Sequence, residues 1–535
     1  MDGSIIVAYL VAIALIGFYH SRGQKTLEDF FLASKSMRWL PLGISLMAAL
    51  NSGMDYLAQP SGTIKFGILL LVGNLSWFFL YPYVFYVTLP FYRRLGVYSV
   101  YEYLERRFDS SVRLLTATIF LLWRLGWMAT ALYVPCLALS AATGNDQLLK
   151  PMIVVLGLLV TAYTMMGGIK AVIWIDVVQF CVMFTGLTLT LIVIVWNIPG
   201  GLPAAFDNVT EVGLVEMPAA DEESFLTRAW NYFFIPITFF GILISALVSR
   251  VTTYTSDQVM VQRFQTSKTI QDAQQGFLIT AITDAIWMTA LSFIGIALFT
   301  YYSQIGELPA GFGENTDKIF PTFMSEMFPV GVTGLVIAAI IAASLSSIDS
   351  ALNSMTAVCM LDFVDRLYLQ WTTPDVRKTS EMNRTQVRIS RAITIILGII
   401  GITLACNVDR LGTILEIGNK LIASFTGPIL GIFLLGMFTR RATRRAVFYA
   451  GILGTIVAIY CIFWSSDQLV ADLASHFPLI LRLFPEGPPL SFQWPPLAGF
   501  LTTFGLGFSL SLLEQPDPKA SRWTWSSVIQ TELKE

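Results

Sequence analysis

The chain has 535 residues, of which 55% are hydrophobic and only 13% charged, with a formal net charge of -2 and a mean hydropathy of +0.65. Soluble domains carry about 25% charged residues, so most of this surface must face lipid, and the small net charge is no argument for a nucleic-acid partner. Two isolated His (His20, His476) and five Cys set singly in apolar runs (Cys136, Cys181, Cys359, Cys406, Cys461) argue against a metal enzyme and read as core thiols.

The first apolar run, 4–20, lacks a basic leader: Asp2 precedes it and Arg22 follows. It reads as a retained helix with its N-terminus outside, not as a cleaved signal. A membrane helix needs about 20 mostly apolar residues, and thirteen stretches qualify: 4–20, 38–60, 66–91, 114–140, 151–168, 172–197, 228–255, 277–302, 332–362, 387–408, 412–438, 445–464 and 495–514. Basic residues test that count, because cytoplasmic loops collect Lys and Arg. With the N-terminus outside, 25 fall on the inner side and 6 outside, leaving Arg124, Arg250 and Lys420 within spans. One miscounted span in the middle would destroy that division.

Polar residues inside apolar runs are costly in lipid and mark candidate sites. In the second span, Asn51-Ser52-Gly53 with Asp55 disfavours a continuous helix. A break there frees backbone carbonyls for a cation; the alternative is small-residue packing around a paired Asp. Gly167-Gly168 fits a tight turn between the fifth and sixth spans. Asp176 then lies about one turn into the sixth, as a buried carboxylate or a cap on the turn. The loop 198–227, with six acidic and no basic residues, reads as a solvated cap. In the ninth span, Ser347, Ser350 and Ser354 share one helical face, with Ser346 and Asp349 close by. Hydroxyls and a carboxylate form an all-oxygen set suited to a hard cation, although serines also bond back to their own helix.

These segments, in this order, resemble the sodium/solute symporter family, which includes sodium–glucose, proline, sialate, iodide and monocarboxylate cotransporters. The likeness runs from about Phe30 to Arg441. It rests on Phe30-Phe31-Leu32-Ala33, the Gly-Gly stretch ending at Gln179, Asp257-Gln258-Val259-Met260-Val261-Gln262-Arg263, the Ser-rich ninth span, and Gly427-Pro428 through Phe438. The resemblance implies an all-α polytopic membrane protein with about thirteen transmembrane helices and two inverted five-helix repeats, an amino-acid-permease-like transporter fold. Its parts would be a peripheral first helix and inner loop (1–37), repeats over 38–197 and 227–438, an acidic outer loop (198–226), two peripheral helices (439–514) and a cytoplasmic tail (515–535). No sequence identity joins the two halves.

Carried over by position, a first sodium site would use backbone oxygens of Ala48, Asn51 and Ala343 with hydroxyls of Ser346 and Ser347. A second would use Asp176, Ser346, Asp349 and Ser350. Asp349 departs from the family's small or hydroxyl residue there, so the carboxylates could bind a second sodium or share a proton. Asp55, Asn74, Trp127, Arg250 and Lys420 are the substrate-binding candidates. Trp127 stands where sialate carriers place an arginine, which argues against sialate. Lys420 could hold a carboxylate or pair with Glu416 four residues before it, and Arg250 could face the pocket or snorkel. Arg124, one turn from Trp127, reads as structural.

The expectation is a sodium-coupled symporter of a small organic anion or zwitterion in the plasma or inner membrane. The partners expected are a small solute and the lipid bilayer, with no nucleic acid and no obligate protein partner. The alternatives are a sugar or polyol carrier, or a proton-coupled carrier of the same fold. A channel would need a ring-forming pore motif, and an embedded enzyme would need a nucleophile–base set; neither is present in the sequence.

Overall fold

A computed structural model describes residues 2–20, 27–210, 230–305, 316–366, 380–408, 414–466, 488–515 and 520–530, with a few isolated positions between them. Among the described residues the chain is helical, with a single isolated bridge pairing Met37 and Ser267. The apolar runs become α1 (Asp2–His20), α2 (Trp39–Leu50), α3 (Gly53–Phe66), α4 (Ser110–Thr143), α5 (Leu149–Asn197), α6 (Phe239–Ser256), α7 (Gln258–Thr266), α8 (Ile270–Ile305), α9 (Val332–Val358), α10 (Ser380–Ala405), α11 (Ile414–Phe438), α12 (Arg444–Trp464) and α13 (Pro495–Leu512). Nine helical stretches among the described residues are long and apolar enough to cross a membrane, and three shorter apolar helices accompany them.

Several boundaries follow from local chemistry. Gly168 (φ 56°, ψ -173°) interrupts the 49-residue α5 at the expected turn, in a conformation open to a residue without a Cβ. Gly67 (φ 73°) likewise ends α3. The seventh span does not start at 228 as expected. Pro236 disfavours a helical residue before it, and the helix begins after Thr238, whose hydroxyl accepts the Gly241 N–H at 3.1 Å. The acidic loop lies largely outside the described residues, and so does His476. Cys181 is exposed rather than in the core; on a lipid-facing flank a thiol is as well placed as in a core.

The centre is α9. In its most apolar 18-residue window 94% of residues are buried, against 33% in α5. It packs on α5, α4, α1 and α3. The first helix is fixed to it directly, since Asp2 accepts the amides of Gly331 (2.6 Å) and Gly334 (3.0 Å) at its N-terminus, where a carboxylate also meets the positive end of the helix dipole. At the other end of α9, Asp362 accepts from Ser99 (2.7 Å) and Arg113. Arg113 also reaches Glu105 at 2.6 Å, and Arg366 pairs with the same carboxylate. Burial acts to raise the Glu105 carboxyl, but Arg366 and Arg113 outweigh it and hold the group below its ordinary range.

Candidate ion and solute site

The break in the second span is present between α2 and α3. Asn51 (φ -98°, ψ 136°) and Ser52 (φ -119°, ψ 167°) are extended. Ser52 caps α3 by accepting from Met54, while its own N–H donates to Asp55 at 2.6 Å. That turns the Ser52 amide away from the Ala48 carbonyl, its partner in an unbroken helix. The Asp55 amide bonds instead to the Ser52 carbonyl at 3.0 Å, which releases the Asn51 carbonyl. Two serines of α9 meet these released groups: Ser346 Oγ lies 2.8 Å from Ala48 O, and Ser347 Oγ lies 3.0 Å from Asn51 O. Both hydroxyls also approach Ala343 O, at 2.8 and 3.3 Å. The five residues expected around a first cation therefore converge through five oxygens. Each hydroxyl has one proton for two carbonyls, so the carbonyl dipoles are under-used. Gly53 permits this approach, because a Cβ there would collide with Ser344 Oγ and stand 2.6 Å from Ile340 O.

A second polar cluster lies deeper along α9. Asp176, Asp349 and Arg263 are fully buried. Arg263 donates to Asp176 (3.0 Å), Ser45 (2.8 Å) and the hydroxyl of Ser350. Asp349 accepts from Tyr163 (3.1 Å) and Ser350 (3.2 Å). Asp176 Oδ1 has no hydrogen-bond partner among the described residues. Asp176, Ser350 and Asp349 are thus brought together as expected, but with a guanidinium among them. Ser346 joins this set through its carbonyl, which accepts from Ser350 Oγ, while its hydroxyl serves the first cluster.

The break also borders a cavity of about 270 Å³ lined by Asp55, Asn74, Trp127 and Arg250. An adjoining hollow of about 170 Å³ shares Asp55, Trp127 and Arg250 and extends to Asn51, Arg124 and Asp284. Four of the five substrate candidates therefore face one space; the side chain of Lys420 lies outside the described residues. Arg250 does not snorkel. It pairs with Asp284 at 3.0 Å, donates to Ser76 Oγ at 3.0 Å, and its guanidinium carbon stands 4.8 Å from the centre of the Trp77 ring. Asp284 also accepts from Asn51 (2.9 Å) and Trp77 (2.8 Å), so one carboxylate of α8 ties together the break, the Gly67–Leu95 stretch and α6. Arg124 pairs with Asp257, which caps α7 through the Val259 amide at 2.9 Å. Sequence reasoning passed over Asp284, although a lone acid in an apolar span was a signal available to it.

The profile of the sodium:solute symporter family matches residues 30–454. Over 467 residues the chain is 32% identical to the sodium/sialic acid symporter of Proteus mirabilis (strain HI4320), covering 87% of this chain and 90% of that protein. It is 28% identical over 495 residues to the sodium-coupled monocarboxylate transporter 1 of Homo sapiens, covering 90% and 75% respectively. Among solved structures, a sodium-coupled sialic acid symporter in a substrate-bound outward-open state matches with a TM-score of 0.78 at 29% identity, over 96% of this chain and 98% of that one. The chain belongs to the sodium:solute symporter family and is a multi-pass membrane protein that couples sodium to the movement of a small solute.

Proposed function

We propose that this symporter imports a small organic anion or zwitterion by alternating access, with sodium held between the α2–α3 break and α9. The observation that carries the reading is the pairing of the freed carbonyls of Ala48 and Asn51 with the hydroxyls of Ser346 and Ser347. An ion there adds a charged link to the packing of these two elements, and the same break shapes the cavity. Sodium bound first therefore organises the solute site. The second ion belongs with Asp176, Asp349 and Ser350, where Asp176 Oδ1 has no hydrogen-bond partner among the described residues.

The cavity favours a solute with a negative group. Arg250 lines it beside Ser245 and Ser249 while paired with Asp284, and Asp55 in the same lining suits an ammonium or hydroxyl donor. Asn74 and the indole N–H of Trp127, which has no partner among the described residues, supply further polar contacts. Two relatives carry acids in their names, a sialic acid and a monocarboxylate, which supports the same charge class. The distribution of basic residues supports thirteen spans in the plasma or inner membrane, with the N-terminus outside and the C-terminus cytoplasmic. The two inverted repeats are the arrangement that suits a break facing α9 at mid-depth.

The deciding experiment is uptake into proteoliposomes of monocarboxylates, amino acids, sialate and neutral sugars, under an imposed sodium or proton gradient. The expected result is sodium-driven accumulation of an acidic or zwitterionic solute. Uptake confined to neutral sugars would overturn the charge class. A proton gradient working equally well without sodium would overturn the ion assignment at these two clusters.

A further inference from the structure

The connection between α11 and α12 gathers positive charge that no described residue balances. Arg440, Arg441, Arg444 and Arg445 are exposed, and none forms an ion pair with a described residue. They surround the start of α12, a 21-residue helix whose N-cap, Thr443, gives no side-chain cap to the first-turn amides. A helix N-terminus carries about half a positive charge and welcomes acids, yet α12 opens with two arginines. Charge opposes this choice unless an anion completes it.

The start of α12 borders a cavity of about 440 Å³, walled by Arg107, Phe108, Thr443, Arg444, Arg445 and Glu514 among others. Arg107 is buried and spends its guanidinium on the last carbonyls of the α11 segment, at 3.1 Å to Gly436 and 2.6 Å to Thr439. It fixes the wall and leaves Arg444 and Arg445 as wall cations with no ion-pair partner among the described residues. Thr443 is only 7% exposed, and its Oγ1 has no partner among the described residues. Ser511 anchors the Thr443 backbone amide at 3.1 Å, so this orphan hydroxyl is held in the wall by α13. Glu514, the acid of the wall, pairs with no described cation.

We propose that this cavity is a binding site for a phosphate group. The first-turn amides of α12, the Thr443 hydroxyl and the guanidinium groups of Arg444 and Arg445 would hold its oxygens. A phosphate offers several acceptor oxygens in different directions, matching amides along the helix axis and two planar donors beside it; a carboxylate has only two oxygens to share. Under the orientation proposed above this face is cytoplasmic. The phosphate there belongs either to the headgroup of an anionic phospholipid or to a soluble phosphate, and both present the same chemistry to the site.

The test uses the full-length protein in detergent, with sodium present, and reads its thermal unfolding midpoint. One arm titrates inorganic phosphate; the other titrates phosphatidylglycerol into the micelles against phosphatidylcholine as control. We expect one arm to raise the midpoint saturably. The Arg444→Gln/Arg445→Gln variant should weaken the apparent affinity by about tenfold or more, as charge-assisted hydrogen bonds are lost. Thr443→Val should weaken it less. Arg440→Gln/Arg441→Gln, outside the cavity wall, should respond nearly as wild type, which separates a site from general basic charge. Retention of the sodium-dependent stabilisation shows that each variant is folded and that the symport reading stands apart from this one. The proposal is overturned if neither phosphate nor phosphatidylglycerol raises the wild-type midpoint. It is equally overturned if the two double variants respond alike.

Discussion

Replacing Ser347 with Ala removes one oxygen from the first cluster with little other disturbance. The side chain is 2% exposed, and its hydroxyl bonds to Asn51 O at 3.0 Å and Ala343 O at 3.3 Å. Without an ion, the loss is one neutral hydrogen bond, about 1 kcal/mol, partly offset by the better helix propensity of Ala, worth about half that. The ion-free protein should therefore unfold at nearly the wild-type temperature. With sodium bound, the lost group faces a full charge, where such contacts contribute about 1.5–3 kcal/mol. That corresponds to a sodium affinity weakened by about 10- to 150-fold. The assay is sodium titration of the unfolding midpoint in detergent, paired with the sodium dependence of uptake in proteoliposomes. A sodium affinity unchanged within a factor of about three, in a variant as stable as wild type, would refute the placement of sodium at this break.

Gly53→Ala should force α3 away from α9, since the added Cβ would stand 2.6 Å from Ile340 O. Overpacking of this kind costs about 1–3 kcal/mol, and sodium affinity should fall with it; unchanged stability and uptake would contradict the close approach. Asp284→Leu leaves Arg250 without its carboxylate and should cost about 3–5 kcal/mol. Adding Arg250→Met should restore much of that stability without restoring uptake, so a single variant as stable as the double one would count against the pair. Asp349→Ser should lower the sodium Hill coefficient of uptake, and an unchanged coefficient removes the second ion from that cluster. Glu105 is held below its ordinary carboxyl range, so its contribution to stability is present at neutral pH and lost as pH falls through that lowered value. The margin of wild type over Glu105→Gln should shrink between about pH 7 and about pH 3; a margin that stays constant would show the ion pairs contribute nothing.

The elements of the fold were legible because membrane helices announce themselves locally. Asn51-Ser52-Gly53 interrupted an apolar run and is a break; Gly168 closed a span and is one too. The serine face of α9 was likewise readable from spacing along one helix, and it meets the break as the family resemblance implied. What escaped the sequence is partnership over distance. Asp176 and Arg263 are 87 residues apart, Arg124 and Asp257 133, and Asp2 lies 329 from Gly331. A lone charge in a span signals that a partner exists without saying which one. Thus Arg250 was readable as either pocket lining or snorkelling until Asp284 was found beside it. The shortening of α6 at Pro236 was local chemistry that the hydropathy of the segment concealed.

Arg263 has an electrical consequence. With both carboxylates ionised, Asp176, Asp349 and Arg263 sum to one negative charge, and a single monovalent cation neutralises them. A membrane potential acts with about 2.3 kcal/mol per elementary charge per 100 mV. Voltage therefore acts on this cluster when it is empty and releases it when one cation is bound, whereas a second cation there would reverse the sign. The voltage dependence of the transport current thus counts the cations this cluster carries.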